Sequence, residues 1–344
     1  MKFDASMGLS TDLKDVPALA QSAEAIGFDA VWTSETQRDP FLPLALLAEH
    51  TTQLKFGTAV AIAFARSPMI VAQTAWDLAR QSQGRFRLGL GTQVRAHIER
   101  RFGMTWTPPV PRLREYVQAI RAVWHTWQIG EKLNFRGQAY KLTLMTPFFT
   151  PGPIEQPNIP IFIAGVGEPL CRLAGEVADG FHVHPFHSVK YLSEVTLPAI
   201  EAGAQKANRD RKAIEIATMV FVALNDQEIA AQRSQVAFYA STPSYRAVLD
   251  LHGWGAIGEQ LSALAARGLW AEMPKLISNE MLETFVLIGT RDDIGDKLHQ
   301  KYDGLLDRVG LYRPYVPGIE DEHWKKLARQ MNNDQSTNHQ LTNP

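Results

Sequence analysis

The chain has 344 residues, 45% hydrophobic and 21% charged, a size that permits one large barrel or two smaller domains. Its 35 basic and 36 acidic residues leave a formal charge of -1, so no global field favours nucleic acid or an anionic membrane, and a small-molecule substrate is the expected partner. A lone cysteine, Cys171, excludes an internal disulfide and is expected to pack rather than react; "MKFDASMGLS" has no leader pattern and no run approaches about eighteen apolar residues, so a cytoplasmic protein is expected.

Short β-rich runs alternate with helix-period segments from the first residues onward. Strands are expected at 2–9, 29–35, 55–62, 85–91, 159–165, 180–186, 214–222 and 308–314. Three intervening helices read as ending on Gly27, Gly84 and Gly180, because glycine commonly follows the last apolar turn. Eight such units predict a (β/α)8 TIM barrel with its active site at the C-terminal strand ends; an open doubly wound sheet would not need the eighth strand.

Two intervals are too long for simple connections. Residues 92–158 hold one strong helix, a small hairpin in "EKLNFRGQAYKL" and a proline-rich stretch; residues 223–307 carry several helical pieces. Insertions of this kind on the catalytic side form lids or substrate walls. One barrel domain is therefore expected over 1–331, followed by a polar, frayed tail over 332–344.

The turns "GLGTQV" (89–94) and "GVGEPL" (165–170) begin like a dinucleotide fingerprint but lack its last glycine and its acidic partner on a second strand. Gly165 and Gly167, with Glu168 and Pro169 opening a helix, suit a phosphate cradle; a plain tight turn is the alternative. The third strand is rich in small residues, Gly57, Thr58, Ala59, Ala61 and Ala63, either for tight packing or to let a flat ring approach the backbone. Glu35 should point into the barrel mouth, where it could bind cofactor hydroxyls or move a proton, unless Arg38 or Arg66 pairs with it.

"GFHVHPFHS" (180–188) concentrates three of the ten histidines. His182 and His184 lie two apart on a strand and share a face, while His187, beyond Pro185, is expected on a solvated rim. A metal site would need further His, Asp or Cys ligands in series, so no metal is expected, and a hydrogen-bonding role at a pocket is.

The runs "GTAVAIAFARSPMIVAQTAWDLARQSQGRFRLGLGTQ" (57–93) and "IFIAGVGEPLCRLAGEVADGFHVHPF" (161–186), with 27–51 and 97–106, resemble the bacterial luciferase-like family, in particular its branch dependent on the deazaflavin coenzyme F420. That resemblance implies a luciferase-like barrel with the ring across its mouth and a non-proline cis peptide between Ala59 and Val60 backing one ring face. It also implies a phosphate site at Gly165, Val166 and Gly167 with His184, and a hydroxyl contact from Thr92. Glu35, Thr36 and Thr58 complete the expected cofactor contacts.

The chain departs from the branch's sugar-phosphate and alcohol dehydrogenases. Glu35-Thr36 stands where they carry Asp-His, Val94 where they carry a glutamate and Pro40 where they carry a tryptophan. Glu35, His97 and His182 remain as acid–base candidates. The implied activity is hydride transfer between F420 and a small organic substrate. The alternatives are an FMN-dependent monooxygenase served by a separate reductase, and a non-catalytic flavin-binding barrel. A homodimer is expected through "FLPLALLAEH" (41–50), whose apolar face could equally pack on its own barrel.

Overall fold

A computed structural model describes residues 1–338, with side chains through residue 332. Its strands, in chain order, are β1 (Lys2–Ser6), β2 (Ala30–Thr33), β3 (Lys55–Thr58), β4 (Ala61–Ile62), β5 (Phe86–Gly91), β6 (Phe135–Arg136), β7 (Lys141–Leu142), β8 (Ile161–Gly165), β9 (Gly180–Val183), β10 (Glu215–Ala223), β11 (Val286–Ile288) and β12 (Arg308–Leu311). The pairings β1–β2–β3–β5–β8–β9–β10–β12 are all parallel, and β12 returns to β1, closing an eight-stranded barrel. Each of the eight expected strands is a barrel stave, and closure excludes the open sheet. These strands read as nearly continuous apolar runs because both faces are covered, by helices outside and by opposing staves inside.

Where strands stop differs from the sequence expectation for local reasons. β9 ends at Val183, because Pro185 has no N–H for a ladder. The third stave breaks after Thr58 and resumes as β4, which pairs only with β5. Gly180 does not stop a helix: the helix Glu168–Val177 ends first, and Gly180 opens β9 against the ring of Phe162, where a Cβ would lie 2.2 Å from a ring carbon. Interval 223–307 carries, besides its helical pieces, one short strand. β10 runs past the barrel and pairs in parallel with β11, fastening the insertion to the seventh stave.

The expected hairpin is β6–β7, antiparallel. Helix Pro109–Ile129 buries Leu113, Val117, Ile120, Trp124 and Trp127, a stripe at helical spacing, and its Trp124 and Trp127 meet Trp76 of helix Pro68–Gln81. Helix Leu42–His50 turns Leu44, Leu47 and Ala48 into its own barrel. Cys171 is buried, and burial pushes its thiol up to about 12. Helix Asp321–Asn338 carries the chain into the segment expected to fray, of which 339–344 lie outside the described residues. Among the described residues no helix is long and apolar enough to cross a membrane.

Inside the barrel, Arg308 is fully buried and donates to both carboxylate oxygens of Asp4, at 2.9 and 2.6 Å, and to Asp29 at 2.5 Å. Trp32 Nε1–H completes the set on Asp4 Oδ2 at 2.8 Å. The cluster ties β12, β1 and β2 together at the point of closure.

Candidate functional site

The C-terminal strand ends surround a cavity of about 580 Å³, with Asp4, Trp32 and His182 in its floor. Its first wall is the break in the third stave. The Ala59–Val60 peptide is cis, and the segment is pinned from the neighbouring stave: Ala59 N–H donates to Thr33 O at 2.7 Å, Glu35 N–H to Val60 O at 3.1 Å, and the Ser34 hydroxyl to Ala59 O at 3.0 Å. Glu35 finishes the clamp, Oε2 accepting from Ile62 N–H at 2.7 Å and from Arg66 at 2.6 Å, while Arg66 also reaches Asp39 at 2.8 Å. The Glu35 carboxylate is 6% exposed and paired with Arg66, the partner that the sequence reading named as the structural alternative to a proton-moving role.

Across the mouth, Gly165 and Val166 line the cavity just before helix Glu168–Val177, whose first N–H groups are directed outward by helix geometry. Gly165 must be glycine because a Cβ would sit 2.6 Å from Leu170. Gly167, at φ +86°, turns the chain into the helix without lining the cavity.

His182 lies against Trp32 and Phe162, with ring centroids 4.6 and 4.9 Å away, and its Nε2 has no hydrogen-bond partner. Burial, with Arg308 nearby, pushes its pKa down to about 3, so the ring is neutral. His184 is neutral too, pushed down to about 3 by burial, and both its nitrogens are engaged: Phe186 N–H donates to Nδ1 at 3.0 Å, and Nε2 meets the Tyr245 hydroxyl at 3.0 Å. His187 is not on a solvated rim. It is buried, its Nδ1 against His184 O at 2.9 Å, and burial pushes its pKa down to about 4.

The fold brings Glu35, Ala59, Val60, Thr92, Gly165, Val166, His182 and His184 to one cavity. Besides Gly167, three other candidates lie elsewhere. His97 is exposed, because helix Arg95–Arg100 buries only Ile98 and turns its neighbour outward. Thr36 lines a separate cavity of about 310 Å³, its carbonyl accepting from Arg101. Thr58 is fully buried and pairs with the backbone of Gly89, donating to its C=O at 2.6 Å and accepting from its N–H at 2.9 Å. It therefore closes the ladder instead of facing a ligand.

Sequence reasoning missed three tyrosines. Tyr239 and Tyr245 descend from the insertion after β10 and Tyr312 follows β12; all line the cavity, and the Tyr239 and Tyr312 hydroxyls are 2.9 Å apart. Aromatic residues in "FYASTPSY" (238–245) were the available signal, inside an insertion already read as a substrate wall. Among the described residues, no lysine or arginine lines the cavity, and no group of three His, Cys, Asp or Glu could hold a metal ion.

Residues 1–308 match the family model of the luciferase-like monooxygenases. An uncharacterised protein of Mycobacterium tuberculosis is 48% identical over 315 residues, covering 90% of this chain and 92% of its own. The 5,10-methylenetetrahydromethanopterin reductase of Methanolobus tindarius is 30% identical over 329 residues, 93% of this chain and 96% of the reductase. Among solved structures, the coenzyme F420 dependent tetrahydromethanopterin reductase from Methanopyrus kandleri superimposes with a TM-score of 0.77 at 21% identity, over 96% of this chain and 97% of that one. A closed parallel barrel with its cavity at the C-terminal strand ends, and a family match that spans it, lead to one conclusion: the chain belongs to the luciferase-like monooxygenase family and is an enzyme.

Proposed function

We propose that the cavity binds the deazaflavin coenzyme F420 and supports hydride transfer between that coenzyme and a small organic substrate. The observation that carries this reading is a single cavity joining the pinned backbone wall at Ala59–Val60 to the Gly165–Val166 turn ahead of a helix. The name of the F420 dependent reductase with the same barrel supports the coenzyme, and that of the 30% identical reductase supports a reduction.

The residues present fit such a group. Gly165 and Val166 line the cavity just ahead of helix Glu168–Val177, whose opening backbone N–H groups can favour a phosphate there without help from a cationic side chain. Ala59 and Val60 offer a flat wall to one ring face, held in register by Glu35 and Arg66. Neutral His182 lines the floor without adding charge. Thr92 adds a hydroxyl beside the same wall. When bound, the deazaflavin supplies hydride chemistry; the protein supplies placement and a water-poor surround.

Titration with F420 and, separately, with FMN tests this, read by cofactor absorbance and fluorescence. Saturable F420 binding at micromolar concentration is expected; tight FMN binding with no F420 binding would overturn the reading. That outcome would favour the second reading, an FMN-dependent monooxygenase fed by a separate reductase, which the family's own description supports and which oxygen uptake with reduced FMN would reveal.

A further inference from the structure

We infer that Tyr245 is the proton donor of the site and that the substrate is a neutral aldehyde or ketone whose oxygen receives that proton. The inference rests on the hydride-transfer reading above and adds what that reading lacks, a group to complete the reduction.

His184 fixes the direction of its hydrogen bond to Tyr245. Phe186 N–H can only donate, so the nitrogen it meets at 3.0 Å, His184 Nδ1, must present a lone pair. A neutral imidazole has one proton, which is then on Nε2, and Nε2 lies 3.0 Å from Tyr245 Oη. The histidine must therefore donate and the tyrosine oxygen accept. Tyr245 keeps its own O–H proton for another acceptor; no other hydrogen bond of this hydroxyl is formed among the described residues, and Tyr245 lines the cavity. Burial raises its pKa to about 12, so the hydroxyl stays protonated at neutral pH.

Position selects the substrate over the coenzyme as the acceptor. In barrel order β3 is the third stave and β10 the seventh, so the break at Ala59–Val60 and the segment following β10 stand on opposite sides of the mouth. A ring resting on the Ala59–Val60 wall would leave its other face toward the side of the mouth that carries Tyr239, Tyr245 and Tyr312. The lining also selects charge. Among the described residues its only carboxylates, Asp4 and Glu35, are paired with Arg308 and Arg66, and no lining cation is left to meet a carboxylate or phosphate on the substrate.

The step balances. A bound reduced deazaflavin would supply the hydride, two electrons and a proton, to the carbonyl carbon, as the C=O π pair moves onto oxygen. That oxygen takes the Tyr245 proton as the tyrosine O–H bond breaks. The resulting phenolate is held by His184 Nε2–H and regains a proton from water.

Three measurements test this on the intact protein. F420 affinity of the wild type and of Tyr245→Phe is measured first, so that failure of the cofactor reading is seen separately. Histidine 15N NMR of the wild type should report His184 as the Nε2–H tautomer; an Nδ1–H ring overturns the inference. Cyclohexanone and acetophenone, labelled with 13C at the carbonyl, are then followed by isotope-edited infrared spectroscopy and by turnover with reduced F420. The expected result is a carbonyl band lowered in wild type and restored in Tyr245→Phe, with kcat reduced about 100-fold or more and F420 affinity changed less than about threefold. Undiminished turnover in the variant overturns the inference. So does a loss of F420 affinity with kcat intact, or the failure of every neutral ketone to bind a wild type that holds F420.

Discussion

Replacing Glu35 by glutamine separates positioning from proton transfer at the one carboxylate that sequence reasoning placed in the mouth. The change removes the charge on an oxygen that accepts from Ile62 N–H at 2.7 Å and from Arg66 at 2.6 Å, with side-chain exposures of 6% and 19%. Hydrogen bonds to charged groups contribute about 1.5–3 kcal/mol each. Glutamine can still accept from Ile62, and Arg66 keeps Asp39, so the loss should fall near the lower end, about 1.5–2 kcal/mol. At an unfolding entropy of about 2 cal/mol/K per residue, that shift lowers Tm by about 2–3 °C. Urea denaturation of Glu35→Gln, Arg66→Met and the double variant should give a coupling energy of about 1.5 kcal/mol. F420 affinity should fall in parallel, since the wall at Ala59–Val60 loses its clamp. The reasoning is refuted if the two substitutions are additive and stability is unchanged while the pH dependence of kcat loses a limb.

Arg308→Met would strand the buried Asp4 carboxylate and should cost about 3–5 kcal/mol by urea denaturation; adding Asp4→Asn should recover part of it, and a double variant worse than the single would contradict the pairing argument. Gly89→Ala places a Cβ 1.8 Å from Thr58 O, so loss of at least about 1–3 kcal/mol, or insoluble protein, is expected; a variant as stable as wild type would mean the barrel wall yields there. His182, His184 and His187 all have folded pKa values depressed by burial, to about 3, 3 and 4. The unfolded chain therefore binds more protons below its histidine pKa near 6.5, and stability fully present above that pH is lost as pH falls toward 4. Denaturant midpoints at pH 7.5, 6, 5 and 4.5 should drop progressively, less steeply in His187→Gln; a flat profile would show these rings are solvated.

Sequence pattern carried the barrel because each stave is an apolar run bounded by turn chemistry, and eight such runs leave little choice of architecture. It did not carry β11, three residues that follow helix Asn279–Phe285 without a turn signal. Cavity-lining residues were legible where a strand end fixes them, as with Ala59, Gly165 and His182. Side-chain partners were not legible: Thr58 turned to Gly89, Glu35 to Arg66, and His184 to Tyr245. That last pair joins residues 61 apart in sequence, across an insertion whose path no local pattern encodes. His97 shows the converse case, a chemically apt residue on a short helix whose one buried neighbour decides the direction it faces.

Thr58 has a wider consequence. Where the third stave leaves its regular path, the facing peptide groups of Gly89 would be left without strand partners, and one hydroxyl satisfies both, donating to the carbonyl and accepting from the amide. Irregular backbone at the mouth is thereby insulated from the wall beneath it. Reshaping of 59–62 for another ligand need not open the barrel so long as a hydroxyl stands at position 58. Serine there should serve, and isosteric valine should not, so the freedom of this rim to vary depends on a single oxygen one layer below it.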